Sequence, residues 1–461
     1  ATIAKATGLI ASEQITAGTK ILLRKGNTFT TQTIYFSKFK GTIENPITFG
    51  AYGSGNKPII TNLNPTEVIF YFSDMPETSK IVLDGLYFYN TGSGPTIMSY
   101  YWGGLRKPNI AIKNSEIEGG YDAIQIQTFC GSLLIENSIV HGAQHQGLLA
   151  GCSNITITGT EFFNNGQSDR DHNIYLSGEG GSNILIENSN LHDTISCFIA
   201  HGTKNSITMR GNRVHNCNFG ISIDAGYASA EKFENIIIEN NKISDQARYN
   251  PVYGTWGLAL GSCINCIVRN NVFANNSDSS ISVIGGNIED SNNDGIYVYN
   301  NTFYNNAVES ELLYYSNKTK NIFFKNNLVY NSSQSSRIMY QFNGTQPEIS
   351  TGNNLYFFTN NPSRDLYSIN GTAYTYSEFK AAFPGQETNS IFGLDPKFAG
   401  PSNPDGSDGI IGTSDDGLMP QSDSPAINAG ETISEVQSDI RGVSRPQGAG
   451  YDIGAYEYSA G

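Results

Sequence analysis

Residues 109–120 read NIAIKNSEIEGG and residues 132–143 read SLLIENSIVHGA. Each opens with a run that alternates apolar and polar residues, turns at an asparagine, and resumes the alternation. The pattern returns as NITITGTEFFNN at 154, NILIENSNLHDT at 183, NSITMRGNRVHN at 205 and NIIIENNKISDQ at 235. It continues as NCIVRNNVFANN at 265, GIYVYNNTFYNN at 295 and NIFFKNNLVYNS at 321, with a spacing of 22 to 30 residues. A third alternating run follows in most repeats, among them DAIQIQ, GLLAG, NIYLSG, CFIAHG, GISIDAG, GLALGS and SISVIGG.

Alternation with period two marks strands with one buried face, and a fixed period of this length marks stacked structural units. Helical repeats need a different periodicity, and propeller blades are longer, with four antiparallel strands. The reading is all-β: a right-handed parallel β-helix with three short strands per coil and asparagine turn ladders. Residues 1–60 are expected to form an N-terminal cap and first coils, and 61–350 the coils that carry a groove. Residues 351–461 are expected to hold degenerate last coils, a short helix at TYSEFKAAFPG, and a tail that packs back on the coils. Such covers protect the exposed ends of a β-helix.

The chain has 461 residues, a formal net charge of -14 and only 15% charged residues. That balance argues against nucleic acid, which needs clustered Lys and Arg. It also repels polyanions unless a cation or a local basic pocket intervenes. No apolar run is long enough to span a bilayer. ATIAKATG at the start reads as a processed mature end, and the low Lys with high Asn, Gly, Ser and Tyr content suits a secreted protein, expected to be a monomer. Six cysteines leave two readings open, buried free thiols and one disulfide; Cys130 and Cys152 lie about one repeat apart, and Cys263 and Cys266 form a CxxC without a second pair to make a zinc site.

AGTKILLRKGNTFT…GTIENPITFGAYGSGNKPII near the start resembles the first coils of secreted bacterial parallel β-helix proteins of the pectate-lyase-like superfamily. SPAINAG…DIRGVSRPQGAGYDIGAYEY resembles the C-terminal segment common in that group. The resemblance implies the fold and secretion. It does not select among polysaccharide lyases, glycoside hydrolases, uronan epimerases and binding proteins.

All six histidines fall between 141 and 215. His141, His192 and His215 occupy equivalent places, shared with Asn164 and Asn275, and read as a polar turn ladder. The others gather near QSDRDHNIYLSG, residues 167–178. Aligning third strands on Ala123, Gly147, Asn173, Cys197, Gly220 and Gly257 sends Ile124, Ile126 and their equivalents inward. Gln125, Gln127, Tyr175, Ser177, His201, Ser222 and Asp224 then face outward. Asp122, His172, Ser196, Phe219 and Trp256 stand one residue before each strand, and His145 one step earlier. His201 and Asp224 are expected on adjacent coils, ~4.8 Å apart along the axis. The long turns at 164–173 and 244–257, with SYYWGGLRKP at 99, are expected to wall a groove. They bring Arg170, Arg248, Tyr253, Trp256 and Trp102, with Tyr227 and Lys204 nearby, and aromatic faces suit sugar rings.

Two chemistries compete on such a face. Hydrolysis needs two carboxylates, with Asp169, Asp171 and Asp224 available; Asp171 and Asp224, two coils or roughly 10 Å apart, suit inversion. Elimination or epimerisation of a uronan needs a base, an acid and a carboxylate-binding cation. His172 or His201 suits the first, Tyr175 the second, and Arg170, Lys204 or Arg248 the third. AHG at 200–202 is similar to the Gly-His-Gly of polygalacturonases and DRDH to an epimerase signature, but the companion motifs are absent, so no catalytic residue is carried over. The expectation is a secreted polysaccharide-cleaving enzyme, hydrolase placed slightly before lyase or epimerase, with a non-catalytic glycan-binding β-helix as the third reading. Hydrolysis would need no cofactor. Asp405, Asp408, Asp415 and Asp416 offer a structural calcium site, although their spacing departs from an EF-hand loop and suits ordinary turns.

Overall fold

The computed structural model describes residues 3–459 except 13, 38–40, 74, 100–107, 128–129, 167, 169, 179–180, 224–231, 248–253, 284–292, 307–310, 317–318, 332–336 and 361–364. The chain divides into two compact units, residues 1–207 and 208–461.

The first unit is a stack of coils, each with three strands. The first strands, Lys20–Arg24, Ile47–Tyr52, Lys80–Asp84, Asn109–Lys113, Ser132–Glu136 and Ile155–Thr158, pair in parallel, each with the next. The second sheet runs through Tyr87–Asn90, Glu116–Gly119, Ile139–His141 and Glu161–Phe163 to Asn190–Ala200. The third runs Ile34–Ser37, Phe70–Ser73, Ile97–Ser99, Ile124–Ile126, Leu148–Ala150 and His172–Leu176, and ends on the same Asn190–Ala200. That strand, 11 residues long, therefore serves two sheets without an intervening turn. The N-terminal helix Ile3–Ala11 packs on Ile34–Ser37 and buries Ile3 and Ile10.

Asparagine makes the corners. Asn114, Asn137 and Asn188 sit at φ 49°, 47° and 50°, the left-handed region asparagine tolerates best after glycine. One residue further on, buried hydroxyls form a ladder. The N–H of Ser115 donates to Ser138 Oγ at 3.2 Å, and that of Thr160 to Ser189 Oγ at 3.2 Å. In the second unit the same place is taken by buried asparagines: Asn241 donates to Asn271, Asn271 to Asn301, and Asn301 to Asn327, at 3.0, 3.0 and 3.1 Å. The expected asparagine ladder is therefore serine and threonine in the first unit and asparagine in the second.

In the second unit, Phe233–Glu239, Cys263–Arg269, Asp294–Tyr299, Lys320–Lys325 and Ile349–Gly352 form the corresponding parallel first sheet. The helix at TYSEFKAA spans Tyr376–Ala382 and carries a capping box between Thr375 and Glu378. The tail packs on the coils: Leu418, Ile440 and Ile453 join Val272, Leu328 and Leu355 in one core cluster. The buried pair Arg445–Glu457, at 2.7 Å, and the Asp452 carboxylate, which accepts the Asn428 N–H, hold the tail's last turns together. Cys130 and Cys152 form a disulfide between successive coils, and Cys197 and Cys217 are each disulfide-bonded, so the choice between free thiols and one disulfide is resolved as neither alone. Cys263 and Cys266 are free and buried. No helix among the described residues is long and apolar enough to cross a membrane.

Candidate active site

Parallel pairing places Asp122, Gln146, His172 and Ser196 on consecutive coils, in one column that enters the third sheet. The Ala123 N–H bonds Gln146 O, the Gly147 N–H bonds His172 O, and His172 is the register partner of Ser196. Ile124, Leu148, Ile174 and Phe198, next along the strands, are fully buried and fix the inward face. Gln125, Leu149, Tyr175 and Ile199 then form one outward row. Gln127, Ser177 and His201 lie on the adjoining row, where the His201 N–H donates to Leu176 O.

Gln146 organises the cluster and is the residue the sequence reading passed over. Its Oε1 accepts the His172 backbone N–H at 2.8 Å and lies 2.9 Å from His172 Nδ1. A backbone N–H can only donate, so the amide's orientation is fixed. Gln146 Nε2 is then the donor, to Arg170 O at 2.9 Å and to His145 Nε2 at 3.1 Å. His145 consequently carries its proton on Nδ1 and donates it to Asp122 Oδ1 at 2.9 Å. Asp171 Oδ1 stands 3.7 Å from His145 Nε2, beyond hydrogen-bond reach. By the same logic His172 bears its proton on Nδ1, which leaves the lone pair on Nε2. The alignment that sets Asp122 and His172 one residue before their strands also sets Gln146 there, and that was the available signal.

Burial sets the electrostatics. His172 is pushed from 6.5 down to about 3, first by desolvation and then by the nearby His201 and His145. It is a neutral imidazole across the physiological range. Burial raises the Asp122 carboxyl above its ordinary value, opposed by its hydrogen bond from His145. Asp171 is also buried, and its Oδ2 accepts the Ser168 N–H at 2.6 Å. Rings extend the cluster outward. Tyr121 stacks on His145 at 4.8 Å, Tyr175 lies 5.1 Å from His172, and His201 meets Tyr175 edge-on at 5.6 Å.

The structure thus brings Asp171, His172, Tyr175, His201 and His145 into one neighbourhood, with Gln125 and Gln127 half-buried on the same sheet face and Arg170 exposed at its edge. Lys204 is buried, and its ammonium binds the carbonyls of Ser177, Gly178 and His201. It ties together the ends of the neighbouring strands His172–Leu176 and Asn190–Ala200, and its ammonium is spent on backbone carbonyls. Trp256, in the second unit, stacks on Phe219 at 4.3 Å and donates its indole N–H to Ser222 Oγ at 2.8 Å. Asp169, Asp224, Tyr227, Arg248, Tyr253 and Trp102 lie outside the described residues, as do Tyr100, Tyr101, Arg106, Lys107 and Tyr249.

The histidine ladder is corrected by one residue. His141 and His192 are equivalent, but the residue between them is Phe163, not Asn164, because Ile139 pairs with Glu161. The three rings stack at 4.8 and 5.3 Å with nearly parallel planes. Likewise His215 aligns with Ser244 and then Ala274, not Asn275. Asn164 and Asn275 are the left-handed corner residues that follow.

The four aspartates of the 400–417 loop are engaged by protein groups, in the loop itself and on Lys242 and Tyr456. Asp415 accepts the Ser407 N–H and hydroxyl, which with Thr413 hold it well below the usual carboxylate range. Asp416 accepts N–H groups of Gly412 and Thr413 and the Tyr456 hydroxyl. Asp408 accepts the Ile410 N–H, and Asp405 pairs with Lys242. The described residues whose ligand atoms do converge, within 4.8 Å of one another, are Glu116, Glu118 and His141 on the second sheet.

With this geometry in place, comparison with known proteins is direct. Residues 84–245 match the family described as right handed beta helix region. The chain is a right-handed parallel β-helix protein. It is similar to the pectate lyase Pel9A at 16% identity and a TM-score of 0.38, over 98% of this chain and 90% of that one. It is similar to the GH136 lacto-N-biosidase from Eubacterium ramulus at 13% identity and a TM-score of 0.46, over 76% of this chain and 64% of that one. The Streptococcus pneumoniae surface adhesin PfbA matches at 15% identity and a TM-score of 0.46, over 73% of this chain and 95% of that one. These likenesses are of fold. No curated protein sequence matches the chain.

Proposed function

We propose that the protein is a secreted enzyme that cleaves a uronic-acid polysaccharide by β-elimination, with His172 Nε2 as the base at C5 and the Tyr175 hydroxyl as the acid at the leaving oxygen. The observation that carries this reading is the pairing of a neutral, Gln146-oriented imidazole with a tyrosine ring 5.1 Å away on the outward side of the sheet. In elimination the C5 proton passes to His172, the C4–O4 bond breaks, the leaving oxygen takes the Tyr175 proton, and a C4=C5 double bond remains. A base held near pKa 3 is weak alone, but the groups that lower it include two imidazoles. Burial is the larger cause and persists, and a substrate carboxylate beside the imidazoles favours the protonated form and raises basicity as it binds. Arg170, exposed at the edge of the cluster, supplies the local positive charge that an acidic chain needs to accept a polyanion.

Hydrolysis by a described carboxylate pair has less support. Asp122 and Asp171 are both buried, and the His145 ring occupies the space between them where inversion needs water. Secretion is supported by the Cys130–Cys152 disulfide, a bond that persists in oxidising compartments.

The test is a digest of polygalacturonate, alginate and neutral glycans, with and without EDTA, read for reducing ends and for ultraviolet absorbance of unsaturated uronate. Reducing ends that grow with absorbance, and vanish in His172→Ala, support elimination. Reducing ends without absorbance turn the assignment to hydrolysis. Binding with no product turns it to a glycan-binding β-helix.

A further inference from the structure

The outward row that contains Tyr175 continues along the first unit. Register pairs Tyr35 with Tyr71, Tyr71 with Met98, Met98 with Gln125, Gln125 with Leu149, and Leu149 with Tyr175. The flanking residues Ile34, Phe36, Phe70, Phe72, Ile97, Ile124 and Ile126 are essentially fully buried, so alternation turns the row to the outer face, with Leu149 the one buried member between Gln125 and Tyr175. At the far end the Tyr35 and Tyr71 rings lie 5.6 Å apart, tilted by 59°. Tyr35 is 60% exposed although the N-terminal helix packs on its own strand. The cap covers that strand and leaves the ring open.

We infer that Tyr35 and Tyr71 form a distal sugar-binding platform for the same polyuronate chain, which lies along the axis of the β-helix across the third sheet. The inference rests on the reading of the His172 and Tyr175 face as a polyuronate lyase. Four strand steps separate Tyr71 from Tyr175, about 19 Å at ~4.8 Å each. A polysaccharide advances by about one strand spacing per sugar, so a chain cleaved at Tyr175 reaches Tyr71 about four sugars away. A tyrosine face meets the axial C–H groups of a pyranose whatever the charge on its carboxylate. The platform thus adds affinity where the acidic chain offers little electrostatic attraction. Between the two ends, Gln125 offers amide hydrogen bonds to ring hydroxyls.

The experiment compares KM on long alginate and polygalacturonate with KM on their trimers, for wild type, Tyr35→Ala, Tyr71→Ala, Tyr35→Trp and the control Tyr52→Ala. Tyr52 is another exposed tyrosine, on the first sheet. The expected result is a roughly threefold to tenfold rise in KM for each platform alanine variant on long chains. KM on trimers, which end short of the platform, is unchanged. Tyr35→Trp retains long-chain affinity and Tyr52→Ala matches wild type. If wild type cleaves long chains with absorbance and the alanine variants keep its KM, or lose equally on trimers, the platform is refuted and the lyase reading stands. If wild type cleaves no uronate of either length, the lyase reading falls and the platform with it.

Discussion

Gln146 Oε1 receives both the backbone N–H and Nδ1 of His172, at 2.8 and 2.9 Å. One buried amide therefore fixes the position and the tautomer of the imidazole on the next coil. Its Nε2 is spent on Arg170 O and His145, so all four hydrogen-bonding positions of the amide are filled. Gln146→Leu keeps the volume and removes every one of these bonds. It leaves buried donors and acceptors unpaired and is expected to cost about 2–4 kcal/mol of stability. In the folded variant kcat should fall by roughly two orders of magnitude with KM little changed, because base orientation and not substrate contact is lost. Steady-state kinetics on whichever glycan the panel identifies checks this; an unchanged kcat rules out the positioning role.

The His172 shift also predicts a pH dependence of stability. The folded-state value, about 3, lies below the ordinary 6.5. Between these values the unfolded chain binds a proton that the folded protein refuses, so stability is intact above pH 6.5 and drains away as pH falls towards 3. From pH 6.5 to 4.5 the loss from this residue is about 2–3 kcal/mol. The raised Asp122 carboxyl acts with the opposite sign at the lower end of that window. The difference between wild type and His172→Asn isolates the histidine. Urea unfolding at pH 7 and pH 4.5 should give a smaller pH effect in the variant; equal slopes exclude a buried neutral His172.

The fold was legible because a β-helix writes its period directly into the chain. Ile110, Leu133, Ile155 and Ile184 recur at one place in successive repeats, and all are buried. The inward and outward rows of the third sheet were legible for the same reason. What the repeat did not reveal is the exact register where turns differ. Matching the polar His141 to the polar Asn164 runs one residue too far, because Glu161 pairs with Ile139 and Phe163 therefore stands between two histidines. Nor does outward position reveal hydrogen bonding. Lys204 resembled a substrate cation in the sequence, yet its ammonium turns to three backbone carbonyls of its own unit. Gln146 carries no charge and belongs to no motif, so only the column it shares with Asp122 and His172 marks it.

The Cys130–Cys152 disulfide closes a loop of 22 residues that spans one coil. Its loss is expected to destabilise the first unit by about 3 kcal/mol, through the freedom restored to the unfolded chain. Both cysteines are buried at the end of the third-sheet rows, so Cys130→Ser with Cys152→Ser should lower the guanidinium midpoint and leave the slope nearly unchanged. Dithiothreitol should lower the midpoint of wild type by more than that of the double variant, in which Cys197 and Cys217 remain disulfide-bonded. If reductant moves both alike, the stabilisation lies elsewhere.

Gly166 decides where Asp171 can sit. It lies in the left-handed region at φ 75°, and a Cβ added there would come within 2.0 Å of Asp171 Cβ and 2.6 Å of His145 O. Both neighbours belong to the cluster, and one is backbone, so neither yields cheaply. Gly166→Ala therefore adds two penalties, the left-handed backbone conformation of about 1 kcal/mol and displacement of the Asp171 turn from the His145 ring. Asp171 Oδ2 would lose its bond from the Ser168 N–H, and His145 would lose the carbonyl position that seats it against Tyr121. The expected outcome is a folded protein destabilised by about 2–4 kcal/mol, with activity reduced more than tenfold. Gly178 provides the control. It has the same φ of 75°, but its added Cβ meets only Gly151 Cα at 4.0 Å, so Gly178→Ala pays for the backbone alone. Thermal unfolding and activity of the two variants side by side separate strain from displacement. Equal losses in both would mean that the closeness of Gly166 to Asp171 has no part in the site.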